Sequence, residues 1–351
     1  MNSRLYEMGW NPFFATQWKA LSQPELVPAR VVEELRGLYR VRTAEAEFLA
    51  EVVGKRRREG VGFPAVGDWI GVRPMPVARA QIEHILTRKT KLSRKMVGRE
   101  LREQVVGANL DTVFVVTSLN RDFNPRRIER YLTLVLEGGA RPVVLLNKSD
   151  LCSDPGGFEA ELSAVAAGVA VHSLSAREAR GLESLLQYIL RGETAAFVGS
   201  SGVGKSTIIN RLAQSSLPTG PVRETDQRGR HTTTTRQMIF LEAGGMVIDT
   251  PGMRELQLWE SDEGVEKAFD DIASMGERCR FRDCNHQGEP DCAVEAAVES
   301  GDLERDRLES YRKLRAELAF QQRKIDPRAA KEQKEQWKKI HKAMRHHSKE
   351  P

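Results

Sequence analysis

The most chemically informative stretch of this 351-residue chain runs from Gly199 to Thr207. It fits the pattern G-x-x-x-x-G-K-[ST], with a strand-like "TAAFV" before it and a helix-like "STIINRLA" after it. Glycines at these spacings let backbone N–H groups turn towards phosphate oxygens, and the start of the following helix adds positive potential. The pattern predicts a phosphate-binding loop, and the weaker alternative is a plain glycine-rich turn.

Two side chains of this loop have specific predicted contacts with a nucleoside triphosphate. Lys205 is expected to reach the β- and γ-phosphates, and the Ser206 hydroxyl is expected to bind the accompanying Mg²⁺. Mg²⁺ bound with that triphosphate is therefore a predicted cofactor. The residues predicted to bind nucleotide here are Gly199, Ser200, Ser201, Gly202, Val203, Gly204, Lys205, Ser206 and Thr207.

A second motif, "NKSD" at Asn147, Lys148, Ser149 and Asp150, follows an apolar run that predicts a strand. Asp150 could accept hydrogen bonds from N1 and N2 of guanine, a donor pair that adenine lacks. The wrong base would leave this carboxylate unsatisfied, which gives the site its specificity. Asn147 is expected to tie this loop to the phosphate loop, and the Lys148 stem to lie along the base. An exposed polar turn is the alternative.

Further candidate nucleotide contacts lie downstream. Ser175 and Ala176 in "HSLSAR" are similar to the third guanine-contacting loop of GTPases. In "MVIDTPGM", the Asp249 carboxylate would hold Mg²⁺ through water and the Gly252 N–H would sense the γ-phosphate. The intervening "RGRHTTTTR" predicts a first switch in which one of Thr232 to Thr235 binds Mg²⁺, although four threonines could equally form an exposed β-prone segment.

Near the end of the chain, a cysteine cluster has the spacing of a metal site. The ligand pattern is Cys279-x₄-Cys284-x-His286-x₅-Cys292. Three thiolates and one imidazole fill a tetrahedral Zn²⁺ shell and leave no open position for water. The cluster predicts one structural Zn²⁺ site, and the alternative is three reduced, unliganded cysteines beside a chance histidine.

The pattern of elements divides the chain into four segments. Short β-rich pieces broken by Gly and Pro predict a small barrel, and later strands that alternate with helical stretches such as "LESLLQYILRG" predict a parallel α/β sheet. The last part of the chain has a helical pattern. The predicted segments are an unassigned N-terminal arm over 1–28, a barrel over 29–108, an α/β domain over 109–256, and a metal-binding domain with a basic helical tail over 257–351.

Charge and hydropathy bound the function classes. The balance of 54 Lys+Arg against 49 Asp+Glu is only slightly basic, but basic residues cluster at 55–58, 88–102 and 323–349. These clusters are either solvated faces or surfaces for a polyanion. No stretch approaches the roughly 18 apolar residues of a membrane helix, and no secretory signal pattern begins the chain. We therefore expect a cytoplasmic protein without a membrane partner.

The order of the motifs indicates a family. The base loop comes first, then the Ser-Ala-Arg loop, the phosphate loop, the first switch and "DTPG". In this order the chain resembles the circularly permuted GTPases, and most closely the RsgA (YjeQ) family of small ribosomal subunit biogenesis GTPases. The resemblance covers nearly the whole chain. It implies a β-barrel of the OB-fold type, an α/β P-loop GTPase domain with circularly permuted motif order, and a helical zinc-binding domain.

The resemblance also implies an activity. Such proteins are slow GTP hydrolases that bind the 30S ribosomal subunit and its 16S rRNA, are stimulated by that subunit, and assist late maturation, including release of ribosome-binding factor A. We expect a monomer. Met253 stands where many GTPases have a water-orienting glutamine. The resemblance assigns the catalytic role to His231 instead, which could otherwise be an exposed loop histidine.

Three rival functions remain open from the sequence. The first is a permuted GTPase that acts on the large subunit, against which the barrel and zinc flanks argue. The second is an RNA-binding assembly scaffold with a passive nucleotide site, which Met253 favours because it removes the usual catalytic side chain. The third is a P-loop kinase, and guanine specificity through Asp150 counts against it.

Overall fold

The computed structural model describes residues 3–52, 62–95, 103–120, 123–166, 168–214, 236–249, 265–266 and 268–325. The chain forms two compact units. The first comprises residues 1–94 and 103–257, and the second comprises 95–102 and 258–351. Within the described ranges, no helix is both long enough and apolar enough to cross a bilayer.

The N-terminal segment folds into two short helices, α1 (Ser3–Glu7) and α2 (Pro12–Leu21). The Asn11 side chain caps α2 by accepting from the backbone N–H groups of Phe13 and Phe14 at 3.0 and 3.4 Å. The indole of Trp10 packs edge-on against Trp69 at a centroid distance of 4.7 Å. Aromatic burial therefore holds this segment, which the sequence left unassigned, against the following strands.

Five strands close into a barrel. They are β1 (Val27–Glu34), β2 (Tyr39–Arg42), β3 (Glu47–Val52), β4 (Trp69–Met75) and β5 (Arg79–Ile85). The order is β1-β2-β3-β5-β4, and β4 pairs back onto β1. The β3–β5 pair is parallel and the others are antiparallel. Val31, Val41 and Ile82 are fully buried inside. The predicted OB-type barrel is confirmed.

A two-stranded sheet, β6 (Lys91–Lys95) and β7 (Glu103–Ala108), leads from the barrel to the α/β region. There, five parallel strands lie in the order β10-β9-β8-β11-β13, with an antiparallel strand, β12, beside β13. These strands are β8 (Thr112–Ser118), β9 (Arg141–Asn147), β10 (Ala170–Ser173), β11 (Thr194–Val198), β12 (Arg236–Phe240) and β13 (Met246–Asp249).

Helices connect these strands and cover the sheet. They are α3 (Pro125–Glu137), α4 (Pro155–Val165) and α5 (Lys205–Gln214), with 3₁₀ turns at Ser149–Leu151 and Glu183–Tyr188. The second turn differs from the predicted helix. It lies in a short connection in which Leu185 and Ile189 are both buried in the core, and the backbone leaves the helical region at Ile189. Tertiary packing therefore overrides its helical pattern.

The barrel is hydrogen-bonded to the sheet formed by β8 to β13, which is called the nucleotide sheet below. Strand β12 pairs antiparallel with β1, with Glu33 opposite Gln237 and Glu34 opposite Arg236. The Arg236 guanidinium also donates to the Glu34 carboxylate at 2.7 Å. The sheet therefore continues from the barrel into the α/β region through main-chain pairing.

The second unit is helical. Its helices are α6 (Asp270–Gly276), α7 (Ala293–Ser300) and α8 (Arg305–Ile325). The buried guanidinium of Arg307 on α8 donates two hydrogen bonds to Asp271 on α6, at 2.6 and 2.7 Å. The same group lies 4.8 Å from the centroid of the Phe269 ring. A bidentate ion pair of this kind fixes the packing of the two helices.

One buried cation connects three parts of the first unit. The Arg30 side chain in β1 is fully enclosed, and it donates to the carbonyl oxygens of Met8, Gly67 and Asn109 and to the Thr194 hydroxyl. Desolvation lowers the pKa of Arg30 to about 10, so the group stays ionised at neutral pH. Arm, barrel and nucleotide sheet thus share one hydrogen-bonded centre.

We predict that Arg30→Met lowers the free energy of unfolding by about 3 kcal/mol or more, because it leaves several buried acceptors without donors. Urea denaturation followed by tryptophan fluorescence measures the change. Arg40→Met is the matched control, since Arg40 on the neighbouring strand is exposed and pairs with Glu33 at the surface. Equal stability of the two variants would contradict the role of Arg30.

Candidate nucleotide and metal sites

The predicted phosphate loop joins β11 to α5 and depends on its glycines. Gly199, Gly202 and Gly204 have φ of +141°, +79° and +103°. A Cβ added at Gly199 would lie 2.1 Å from the Val116 carbonyl oxygen, and one at Gly204 would lie 2.2 Å from the Asn147 Nδ2. Neither position has room for a side chain, so the loop can pack against β8 and β9 only with glycine.

Lys205 is the first residue of helix α5, and its side chain contacts the phosphate loop. Its Nζ donates to the carbonyl oxygens of Gly199 and Ser200 at 2.7 and 2.6 Å. Ser206 and Thr207 follow in the first helical turn with exposed side chains. The lysine and the two hydroxyls therefore lie at the N-terminal end of a helix, the arrangement that suits a phosphate and its cation.

Asn147, the last residue of β9, joins three of the predicted loops. Its Nδ2 donates to the Val203 carbonyl oxygen at 2.7 Å, and its Oδ1 accepts from the Ala176 backbone N–H at 3.0 Å. The side chain is buried, at 2% exposure. Both polar ends of the amide are satisfied, so the base loop, the Ser-Ala-Arg loop and the phosphate loop are held in one place.

Asp150 follows Ser149 in the 3₁₀ turn that comes after Asn147. Lys148, which directly precedes this turn, has a left-handed backbone conformation. The Ser175 hydroxyl donates to the Asp150 carboxylate at 2.6 Å. This hydrogen bond holds the pKa of Asp150 below its ordinary value, and partial desolvation acts in the opposite direction. The carboxylate is therefore ionised at neutral pH and aligned as a hydrogen-bond acceptor, as guanine recognition requires.

The remaining predicted nucleotide contacts lie at the same edge of the sheet or outside the described ranges. Asp249 is the last residue of β13, which runs parallel to β11, so its side chain lies at the carboxyl edge from which the phosphate loop also starts. His231, Thr232 to Thr235, Gly252 and Met253 all fall in ranges that the structure does not describe.

One polar contact to the phosphate loop was not predicted from the sequence. The Arg127 Nη1 on α3 donates to the Ser200 hydroxyl at 2.5 Å. The sequence feature that could have indicated this contact is "NP" at Asn124 and Pro125, which predicts a helix start after the strand "TVFVVTS". A helix that starts there has the next arginines in its first turn. Nothing in the spacing alone gives the distance to the loop.

The four predicted zinc ligands cluster in the second unit, with their donor atoms all within 4.8 Å of one another. Cys279 Sγ lies 3.9 Å from Cys292 Sγ and 3.6 Å from His286 Nδ1, and Cys292 Sγ lies 3.5 Å from the same nitrogen. Tetrahedral Zn²⁺ would separate two sulfurs by about 3.8 Å, and a sulfur and a nitrogen by about 3.6 Å. With Cys284, the cluster could therefore hold a metal ion such as zinc.

The local fold suits a ligand set of this kind. Cys292 caps α7 by accepting from the Glu295 backbone N–H, and His286 adopts φ +56°. Desolvation lowers the pKa of the buried His286, which favours the neutral imidazole that a metal requires. Cys152, the fourth cysteine of the chain, lies in the first unit and is not part of the cluster.

Fold and site together define a P-loop GTPase whose motifs follow one another in circularly permuted order. The family model described as RsgA GTPase matches residues 85–259. A small ribosomal subunit biogenesis GTPase RsgA from Opitutus terrae is 43% identical over 97% of each chain. A second, RsgA 2 from Lactiplantibacillus plantarum, is 46% identical over 83% of each chain.

Solved structures agree with these relatives. The crystal structure of YjeQ from Thermotoga maritima is similar with a TM-score of 0.63 and 29% identity, over 84% of this chain and 98% of that one. The structure of YloQ, described as a circularly permuted GTPase, has a TM-score of 0.60 and 26% identity over 86% and 97%. The chain belongs to the RsgA GTPase family and is a GTP-hydrolysing enzyme.

We predict that Gly204→Ala weakens GDP binding by about 100-fold or more, because the new Cβ must displace the Asn147 amide and separate the three loops. Titration with a fluorescent GDP analogue measures this. Gly202→Ala is the matched control: its φ is also positive, but among the described residues none beyond its chain neighbours lies within 4 Å of the added Cβ. It should bind about 10-fold better than Gly204→Ala, and equal affinities would contradict the role of the Asn147 amide.

Proposed function

We propose that this enzyme is a slow, Mg²⁺-dependent GTPase that acts in the cytoplasm on the small (30S) ribosomal subunit. It binds the subunit, is stimulated by it, and assists its late maturation, including release of ribosome-binding factor A. The observation that carries this proposal is the Asn147 amide, which joins the guanine loop to the phosphate loop. The names of its relatives support the ribosomal assignment.

We infer the following nucleotide contacts. Asp150 accepts from the guanine base, Lys205 balances the charge of the phosphates, and the phosphate-loop amides surround them. Ser206, Asp249 and one of Thr232 to Thr235 would hold Mg²⁺, with Asp249 acting through water. Bound Mg²⁺ would neutralise charge on the β- and γ-phosphates. The hydroxyl and carboxylate oxygens of Ser206 and Asp249 are the donor types that this hard cation takes.

Slow hydrolysis follows from Met253, whose thioether side chain cannot orient water. We assign that task to His231 in the first switch, where a neutral imidazole could accept a hydrogen bond from the attacking water. Binding of the subunit would bring His231 to the γ-phosphate. The Gly252 N–H would sense that phosphate and pass its presence to the following segment.

Two surfaces would contact 16S rRNA. The OB-type barrel is a scaffold that often binds oligonucleotides, and β6 adds basic residues beside it. Lys89 and Lys91 have exposed side chains, and Lys91 is paired with Glu103 at 2.6 Å. The basic tail after α8 is the second candidate and lies outside the described ranges. We keep the four segments proposed above, 1–28, 29–108, 109–256 and 257–351, as functional domains of a monomer.

We also propose one structural Zn²⁺ bound by Cys279, Cys284, His286 and Cys292. The purified protein should contain about one equivalent of zinc by atomic emission. Cys279→Ser should lose most of that zinc and lower the thermal stability of the second unit, because metal binding is coupled to local folding. Cys152→Ser is the control and should retain full zinc. A zinc-free wild-type protein that is insensitive to chelators would refute the assignment.

The decisive test is GTP hydrolysis with and without purified small subunits. We expect strong stimulation by these subunits, none by large subunits, and no hydrolysis of ATP. Asp150→Asn should weaken GTP binding by about 100-fold, because the amide no longer accepts from both guanine donors. His231→Ala should lose about 100-fold of the stimulated rate and still bind GTP.

Three other outcomes of this experiment would each change a part of this proposal. Normal subunit binding without stimulation would favour an RNA-binding scaffold with a passive nucleotide site. Stimulation confined to large subunits would favour a permuted GTPase of that particle. Full stimulated activity in His231→Ala would leave the GTPase proposal in place but remove the catalytic assignment of His231.

A further inference from the structure

The Arg127 guanidinium on α3 donates a hydrogen bond of 2.5 Å to the Ser200 hydroxyl of the phosphate loop. Both residues are half-buried. We infer that Arg127 is a positioning residue, which holds the phosphate loop in its nucleotide-binding conformation by way of Ser200. This inference rests on the proposed nucleotide site and adds a residue that none of its motifs contains.

The position of Arg127 is fixed by the start of its helix. Asn124 caps α3, and its Oδ1 accepts from the Arg127 backbone N–H at 3.0 Å. Pro125 occupies the first helical position, where its restricted φ favours the helix. The guanidinium therefore extends from a backbone with little freedom, which is what a positioning group needs.

The sheet brings this helix start beside the phosphate loop. Strand β8, which precedes α3, pairs in parallel with β11, and Val115 lies opposite Val198. Both strands therefore end at the same edge. Gly199 already packs against the Val116 carbonyl oxygen of β8, and Ser200 is the next residue. The Arg127 side chain thus needs to cross only from one strand–helix connection to its neighbour.

The contact gives the loop two anchors from two different strands. Arg127, after β8, holds the side chain of Ser200, and Asn147, at the end of β9, holds the carbonyl of Val203. Ser201 and Gly202 lie between the anchors with exposed surfaces. A loop fixed on both sides requires less ordering when it binds phosphate, so each anchor should contribute to nucleotide affinity.

The chemistry of the pair is specific to arginine. A guanidinium remains charged at all working pH values and donates in a fixed planar geometry, and a hydrogen bond from it is stronger than one between neutral groups. The Lys205 ammonium contacts the Ser200 backbone carbonyl, so two cations act on this one residue. Ser200 is therefore held by its main chain and by its side chain at once.

The test is a double-mutant cycle with Arg127→Ala, Ser200→Ala and the combined variant. Each single variant should weaken binding of a fluorescent GDP analogue by about 10-fold, and the combined variant should be no weaker than either. In GTP hydrolysis, KM should rise about 10-fold while kcat stays within about 2-fold. Arg127→Lys should restore part of the affinity. Arg126→Ala removes the same charge from the same helical turn at an exposed position and should match the wild type.

Several results would overturn the inference. They are unchanged affinity in Arg127→Ala, strictly additive losses in the combined variant, a fall in kcat at unchanged KM, or a lower melting temperature with unaltered affinity. If Arg127→Ala does not fold, Ser200→Ala and Arg127→Lys carry the same test. Failure of the proposed function would look different, because the wild type itself would then bind no guanine nucleotide.

Discussion

The nucleotide site depends on one buried amide, that of Asn147. Its two polar ends bind Val203 in the phosphate loop and Ala176 in the Ser-Ala-Arg loop, which in turn leads back to Asp150 through Ser175. The parallel sheet makes this possible, because the strands that carry these loops end at one edge. A pocket built in this way needs loops that meet in space and places no demand on their order along the chain, which is why the permuted sequence retains it.

A second constraint comes from burying a charge. The Arg30 guanidinium must find acceptors once it is removed from water, and it finds them in the arm at Met8, in the barrel at Gly67 and in the nucleotide sheet at Thr194. No one of these segments could satisfy it alone. Shared hydrogen bonding to Arg30 therefore explains why the arm, the barrel and the nucleotide sheet form one compact unit, although their sequence patterns differ.

Features that depend on residue type were accessible from sequence, and features that depend on long-range packing were not. The loop glycines have a φ or a contact that only glycine tolerates, and zinc sites of this kind need Cys or His. Both features are therefore visible in the sequence as residue types at fixed spacings. The barrel strands were predictable from short β-rich pieces separated by Gly and Pro. The Arg127 contact, the pairing of β1 with β12 and the 3₁₀ turn at Glu183–Tyr188 arise from neighbours far away in the chain, and no local pattern encodes them.

The pairing of β1 with β12 gives the barrel a protective role towards its neighbour. In the intact chain, β12 lies between β13 and β1, and its first two residues, Arg236 and Gln237, pair with β1. Excision of the barrel would leave β12 as an unprotected edge strand, whose unpaired main-chain groups could hydrogen-bond to a strand of another molecule. The nucleotide domain is therefore not a portable module. Any gene fusion or truncation that moves it must bring the barrel along or supply another cover for that edge, or the product will tend to aggregate.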